Sequence, residues 1–374
     1  MKRALAAYAS VFGIGYLGYM LLPATLSAAA DRFALGETEI GLAATLQLTG
    51  LAIALFVVAP RLVSIGGRRA ALAGGALAIA GYVVASLAGI FPVFLLGLFI
   101  AGLGSGSAIA GGDAFVSGAP NPGRLFAFLF AFGQLTAIIM LIAILPALVE
   151  QYGNASAYGA LAVLSTAMVV VVIFCPVSPS LADASEPIPE LSLYLAAPVV
   201  AMFFLGIADA AVWPFSGEIG KSLGLNSGDG ELVLAGALAA GVLGAGAAGF
   251  FSETKSKIPA IFVIFCLAAC YAGVLTAPNI AVYSSAQILA LFMYGFLTPF
   301  LLGLCGLLDR TGGMMAAAAG SQMIGLAISP WLAGTIMGGF GTAALAGLVA
   351  ISVLIIWPLY MSGRKQLPEV PNII

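Results

Sequence analysis

Two carboxylates stand inside stretches that are otherwise built of apolar residues. Asp209 lies in Gly206-Ile-Ala-Asp209-Ala-Ala-Val-Trp213, and Asp113 follows Gly111 and Gly112. An ionisable group inside a membrane span is costly, so it is a functional candidate by default. Asp209 has no cation within a helical turn on its own segment. It is expected to gain and lose a proton in each working cycle. The competing role for Asp209 is that of a protonated structural group bonded to a neighbouring backbone carbonyl. For Asp113, direct contact with a proton or substrate and a plain structural role both stay open.

The chain contains no histidine. That excludes His-based catalysis and His-ligated haem, and it leaves carboxylates as the natural proton carriers. Cys175, Cys266, Cys270 and Cys305 all lie in apolar runs. Cys266 and Cys270 share a helical face, but no further ligands stand near them in sequence, so they read as small packing residues. No metal and no cofactor is expected. With no nucleophile motif and no extramembrane domain, an enzyme is not expected either, and nothing points to a nucleic-acid partner.

Three amides, Gln47, Gln134 and Gln322, also fall within apolar segments. Each must find a hydrogen-bond partner inside lipid, so they should face the protein interior, as cross-helix bonds or as substrate contacts. No Lys or Arg falls deep in any apolar segment. A cavity with Asp209, aromatics and amides but no cation suits a neutral or cationic amphipathic molecule better than a carboxylate or phosphate.

The elements that must position these residues are membrane helices. Of 374 residues 62% are hydrophobic and 7% charged, against about 25% charged in an ordinary soluble domain. Apolar runs of about 20 residues follow one another along the chain. They are continuous and rich in Ala, Leu and Gly, which favours helices over the dyad pattern of a barrel. Segments are expected near 4–30, 39–60, 70–90, 92–118, 124–149 and 156–177, then near 191–216, 230–252, 258–276, 281–308, 313–336 and 342–362. The polar stretch 178–190, with three prolines and three acids, reads as a solvated linker between the six-helix halves 1–177 and 191–374. The glycines Gly102, Gly104, Gly106, Gly111 and Gly112 crowd the fourth segment and are expected to let helices pack closely.

Charge placement tests the count. With Met1 inside, eleven of the 13 cations (Lys2, Arg3, Arg61, Arg68, Arg69, Arg124, Lys255, Lys257, Arg310, Arg364 and Lys365) fall on the inner side. Only Arg32 and Lys221 fall outside, as the positive-inside rule requires, which puts both termini in the cytoplasm. Lys2-Arg3 with Ala28-Ala29-Ala30 resembles a cleaved leader, but the run is long for one and the internal repeat needs this helix. That repeat is weak but consistent. Leu22-Pro23-Ala24 is echoed by Trp213-Pro214-Phe215, and Glu37-Thr-Glu39 by Asp229-Gly-Glu231. Ala143-Ile-Leu-Pro146 is echoed by Ala327-Ile-Ser-Pro330. Two related halves of this kind place a substrate site between them in many secondary transporters.

The turn after the second segment reads Pro60-Arg-Leu-Val-Ser64-Ile-Gly-Gly67-Arg68-Arg69. With the six-plus-six topology, it resembles the major facilitator superfamily over essentially the whole chain, most like bacterial drug or sugar efflux members. Leu62, Gly67, Arg68 and Arg69 match the family's basic turn, while Ser64 stands where that turn has an aspartate. The resemblance implies an all-α membrane protein of twelve helices in two six-helix pseudo-repeats around a central cavity lined by helices one, four, seven and ten. It implies Tyr16, Tyr19, Trp213, Tyr294 and Thr298 as candidate substrate contacts beside the three glutamines. It further implies an inner gate in which Asp113 pairs with Arg68, next to Gly67 and Arg69. Tyr8, Trp331 and Trp357 read as interfacial anchors.

The function expected is proton-coupled secondary transport of a small organic molecule by alternating access, running as efflux. Symport for nutrient uptake is the first alternative. A lysophospholipid flippase is the second, disfavoured by the missing deep cations. The expected setting is a bacterial inner membrane, with substrate, protons and lipid as partners, as a monomer. The cation asymmetry carries a test of topology. A reporter fused after Ile374 reads as cytoplasmic and one inserted at Gly153 as external; a C-terminal reporter found outside would sink the twelve-helix count.

Overall fold

The computed structural model describes residues 1–117, 119, 122–175, 196–248, 250, 258–308 and 313–365. The 178–190 linker, Lys255, Lys257, Arg310 and Ile374 lie outside the described residues, as does the Arg124 side chain. Among the described residues the chain is helical throughout, with no strand.

Twelve helical segments appear in the expected order. We label them α1 (Lys2–Met20 and Leu22–Phe33), α2 (Glu37–Arg61), α3 (Gly67–Leu87), α4 (Phe91–Ser117), α5 (122–152) and α6 (Ser156–Phe174). There follow α7 (Ala196–Ser222), α8 (Ser227–Ala248), α9 (Ile258–Leu275), α10 (Ile280–Leu308), α11 (Gly313–Phe340) and α12 (Thr342–Arg364). Among the described residues ten helices are long and apolar enough to cross a membrane, eleven when the two pieces of α1 count as one span, and α9 is a shorter apolar helix. Helices prevail because a backbone in hydrocarbon must satisfy its own hydrogen bonds. The chain is an integral membrane protein.

Several helices depart from regular geometry close to a proline, α1 and α5 among them. α1 bends by 50° between its pieces, at Leu21, with Pro23 in the first turn beyond. Upstream, Ala9–Tyr16 winds as a π-helix, and α5 contains a second such stretch, Met140–Ile144, just before Pro146. Wide turns of this kind often mark functional segments.

Contacts divide the chain into two compact units. The first holds α1 to α6 and also Trp213–Ala235, the outer end of α7 and the start of α8. The second holds α7 as far as Val212, the rest of α8, and α9 to α12. The sequence placed the break at the linker; contacts place a further one inside α7, where Trp213–Phe215 tightens to a 3₁₀ turn around Pro214. Proline has no N–H to continue the helix there. In the first unit α3 packs on α4 and α6, and in the second α9 packs on α10 and α12, so the neighbour pattern repeats.

Polar side chains at the starts of α2 and α8 have a local role. The Gly36 N–H donates to Glu39 Oε2 at 3.1 Å at the start of α2. At the start of α8 the Asp229 N–H donates to Asn226 Oδ1 at 2.9 Å. Both satisfy helix-end groups that have no partner within the helix. Arg32 does the same at the end of α3, donating to the carbonyls of Ala85 (3.1 Å) and Ala88. Tyr8 is not an interfacial anchor only, since its hydroxyl is hydrogen-bonded to Thr136 on α5.

The glycines of α4 meet backbone, as their crowding suggested. A Cβ at Gly74 of α3 would lie 2.5 Å from the Ala108 nitrogen and 2.6 Å from the Gly104 carbonyl oxygen. One at Gly104 would strike the Ala78 nitrogen and the Gly74 carbonyl in return. Neither neighbour is a side chain that could rotate away. Gly104→Val should therefore melt at a clearly lower temperature in detergent, with a loss of about 1–3 kcal/mol or more from overpacking. Gly246→Ala, where nothing lies within 4 Å, should leave melting unchanged. A Gly104→Val protein as stable as the parent would mean that α3 and α4 do not touch backbone to backbone.

Candidate functional site

Asp209 is 2% exposed and sits on the part of α7 that belongs to the second unit. Small residues bring α11 against it. A Cβ at Gly206 would meet the Gln322 carbonyl and one at Gly325 the Phe203 carbonyl, while Ser329 Oγ donates to the Ile207 carbonyl at 2.6 Å. From α9, Tyr271 Oη donates to Asp209 Oδ1 at 3.0 Å, in a bond buried from water. A phenol hydroxyl is thus bound to the carboxyl group, a contact the backbone-carbonyl alternative did not include. Asp209 is the only carboxylate among the described residues of this unit.

The same region holds two more of the expected residues. Gln322 Nε2, on α11, donates to Tyr294 Oη, on α10, at 2.8 Å. Tyr271 interacts electrostatically with both Asp209 and Tyr294. Tyr294 is half-buried, whereas Asp209 and Tyr271 are sealed. The structure therefore places Asp209 against Tyr271, which the sequence reading did not single out, and pairs Tyr294 with Gln322 in the same unit. The available signal was a tyrosine deep in an apolar helix, because a buried phenol needs a partner for its hydroxyl. Thr298 is half-buried and its hydroxyl donates to its own helix at the Tyr294 carbonyl, 3.0 Å away.

The first unit disperses its expected residues. Tyr16 and Tyr19 are half-buried on α1, and Tyr16 stacks obliquely on Phe12 at 5.7 Å. Gln47 is 4% exposed, and its amide nitrogen would be 2.9 Å from a Cβ at Gly18. Gln134 is also buried, with its Oε1 lacking any partner among the described residues. Trp213 differs from the expectation of an open cavity contact. It is 3% exposed, and its indole N–H donates to the Tyr19 carbonyl at 3.0 Å, tying the outer end of α7 to α1.

The expected ion pair of Asp113 with Arg68 is absent here. Arg68 donates instead to the Ile173 carbonyl at 2.8 Å, in the last turn of α6. Helix C-termini attract cations, which gives the guanidinium a competing partner. Asp113 is exposed and interacts electrostatically with Tyr16. Arg69 is exposed, and Gly67 is buried against the Gly111 carbonyl, 2.9 Å from where its Cβ would be.

An unanticipated charged cluster lies in the first unit, where α1 meets the last turns of α7. Lys221 Nζ lies 2.6 Å from Asp31 Oδ2 and 3.1 Å from Glu218 Oε1, and Ser27 Oγ donates to the same Glu218 oxygen at 2.5 Å. Asp31 and Lys221 also line a cavity of about 590 Å³, together with Glu150, Asn154, Asn226 and Glu231. Lys221 was visible in sequence as one of two outer cations, but its partner Asp31 is 190 residues away. These pairs are partly exposed, with side-chain accessibilities of 28% for Lys221 and 53% for Asp31, so each contributes little to stability.

Comparison with known proteins bears on what such a molecule does. No curated protein matches the sequence. Among solved structures, the fucose:proton symporter FucP of E. coli is 16% identical, covering 97% of this chain and 98% of its own, with a TM-score of 0.63. The nucleoside transporter NupG is 11% identical, covering 98% and 100%, with a TM-score of 0.71. A D-xylose-proton symporter is 16% identical over 98% and 96%, with a TM-score of 0.68. At such identities the likeness is one of fold. The sequence profile of the Major Facilitator Superfamily matches residues 8–308, and the chain, a transporter and not an enzyme, belongs to that superfamily.

Proposed function

We propose that this transporter couples movement of a small neutral or cationic amphipathic organic molecule to protons, by alternating access, and that Asp209 carries the coupled proton. The direction proposed is export, from a bacterial inner membrane, by a monomer with both termini in the cytoplasm. The halves 1–177 and 191–374 are proposed as the two functional parts, joined by the 178–190 linker.

The observation that supports proton coupling is the setting of Asp209. A carboxyl group 2% exposed, in the only such position in its unit among the described residues, is expensive to retain for packing alone. Its bond from Tyr271 can stabilise the ionised form, and the phenol oxygen can equally accept a proton from the neutral acid. The group can therefore change protonation state without being left unpaired. Tyr16, Tyr19 and Tyr294, all half-buried, offer aromatic contacts suited to the proposed substrate class, while Gln47, Gln134 and Gln322 are buried.

The test is flux in proteoliposomes under a pH gradient of either sign, over a panel of organic cations and neutral metabolites. Asp209→Asn mimics a permanently protonated carboxyl. Gradient-driven flux in this variant, normalised to folded protein, should fall to the level of empty liposomes, while exchange of substrate for substrate persists. Asp209→Glu should keep part of the activity with a displaced pH profile. Near-normal driven flux in Asp209→Asn would remove Asp209 from the mechanism. Accumulation down rather than against the proton gradient would identify symport in place of export.

A further inference from the structure

The cavity of about 590 Å³ beside the Lys221 cluster holds a carboxyl oxygen that no other side chain answers. Every residue lining it belongs to the first unit. Its walls carry three carboxylates, Asp31, Glu150 and Glu231, against one amine, Lys221. Lys221 is already engaged, with Nζ 2.6 Å from Asp31 Oδ2, 3.1 Å from Glu218 Oε1 and 3.4 Å from the Ser27 carbonyl oxygen. Asn226, also on the wall, donates from Nδ2 to Asp229 at 2.7 Å and accepts the Asp229 N–H at 2.9 Å. Glu231, early in α8, is left over. Its Oε2 is shielded from solvent and has no hydrogen-bond partner among the described residues.

A buried acceptor without a donor is costly, so such an atom in a native fold calls for a water, an ion or a ligand. The wall chooses among these. A metal ion needs several converging ligands, and no group of three or more Asp, Glu, His or Cys side chains among the described residues could hold one. Leu145, Val149, Leu225 and Leu234 make much of the wall apolar, which suits a carbon skeleton better than a cluster of waters. No Phe, Tyr or Trp is among the lining residues, so the aromatic cage that holds a quaternary ammonium is missing. A primary or secondary ammonium carries what Glu231 lacks, a positively charged N–H donor.

We propose that this cavity is a second binding site, apart from Asp209, for a protonated primary or secondary amine on an apolar body, with Glu231 Oε2 accepting from the ammonium. Asp31 and Glu150 add negative charge to the wall, and the Asn154 amide offers a contact to a further polar group. The site goes beyond the proton-coupling reading and does not depend on it, because its carboxylates and Asp209 belong to different units. A soluble amine and the headgroup of phosphatidylethanolamine carry the same ammonium chemistry.

The test is calorimetric binding to the full chain in detergent at neutral pH, with cyclohexylamine, its N,N,N-trimethyl analogue and cyclohexanol as probes. Cyclohexylamine should bind saturably, and both analogues at least about tenfold more weakly, since neither offers a charged N–H donor. Glu231→Gln keeps the shape and removes the charge, and should weaken the amine by a similar factor of about ten or more. Amine binding that is lost in Asp209→Asn and kept in Glu231→Gln belongs to the α7 carboxyl and overturns the proposal. Equal binding of the amine and its trimethyl analogue also overturns it, and that comparison stands even where Glu231→Gln does not fold. Absence of saturable amine binding overturns it too, leaving Glu231 to water. Nanodiscs of phosphatidylethanolamine and of phosphatidylglycerol then name the source. Weaker amine binding in the former supports a site filled by the lipid headgroup, and equal binding supports a soluble amine. Normal driven flux in Asp209→Asn would remove the proton-site reading and leave this site standing.

Discussion

Inside hydrocarbon there is no water to satisfy a peptide group and no hydrophobic drive to push one apolar helix onto another. The first constraint makes every segment a helix. The second means that helices hold together only where backbones come close enough for dispersion and weak polar contacts to add up. Gly74 and Gly104 meet that demand between α3 and α4, as do Gly206 and Gly325 between α7 and α11. The second contact matters for chemistry as well as for packing. It presses α11 onto the part of α7 that carries Asp209, and it keeps Gln322 in the same neighbourhood.

The polar side chains obey the same rule with different outcomes. Asp209 is sealed and accepts a hydrogen bond from the Tyr271 phenol. Asp113, on a comparable helix, is exposed and has its electrostatic partner in Tyr16. Lys221 sits between two carboxylates at the outer rim, where water screens all three and the contribution to stability is small. Of these three groups only Asp209 is sealed from water.

Helix ends explain several features that looked functional in the sequence. Glu39 caps the start of α2, and at the start of α8 it is Asn226, bonded to Asp229, that takes the capping role. Arg32, one of two outer cations, closes the last turn of α3, and Arg68, expected in an inner gate, bonds the last turn of α6. Terminal N–H and C=O groups are among the few strong polar sites left in such a molecule, so scarce charges gravitate to them.

Much of the fold was legible because membrane solvation acts on each segment separately. Length, apolar composition and the bias of Lys and Arg report on twenty residues at a time, and they located the segments, their order and the cost of placing Asp209 within one of them. They also raised Gln322 as a residue in need of a partner, whereas Tyr294 entered through the family resemblance. What they could not supply was the identity of those partners. Tyr271 is separated from Asp209 by 62 residues, and Lys221 from Asp31 by 190. Nothing in local periodicity distinguishes a helix face that meets lipid from one that meets a particular neighbour. Only packing decides that Trp213 is bound to the Tyr19 carbonyl, that Arg68 reaches Ile173 and not Asp113, and that one phenol stands against the buried carboxyl group. Hydrogen bonds act over about 3 Å and demand direction, so they exist only once tertiary structure has brought distant segments face to face.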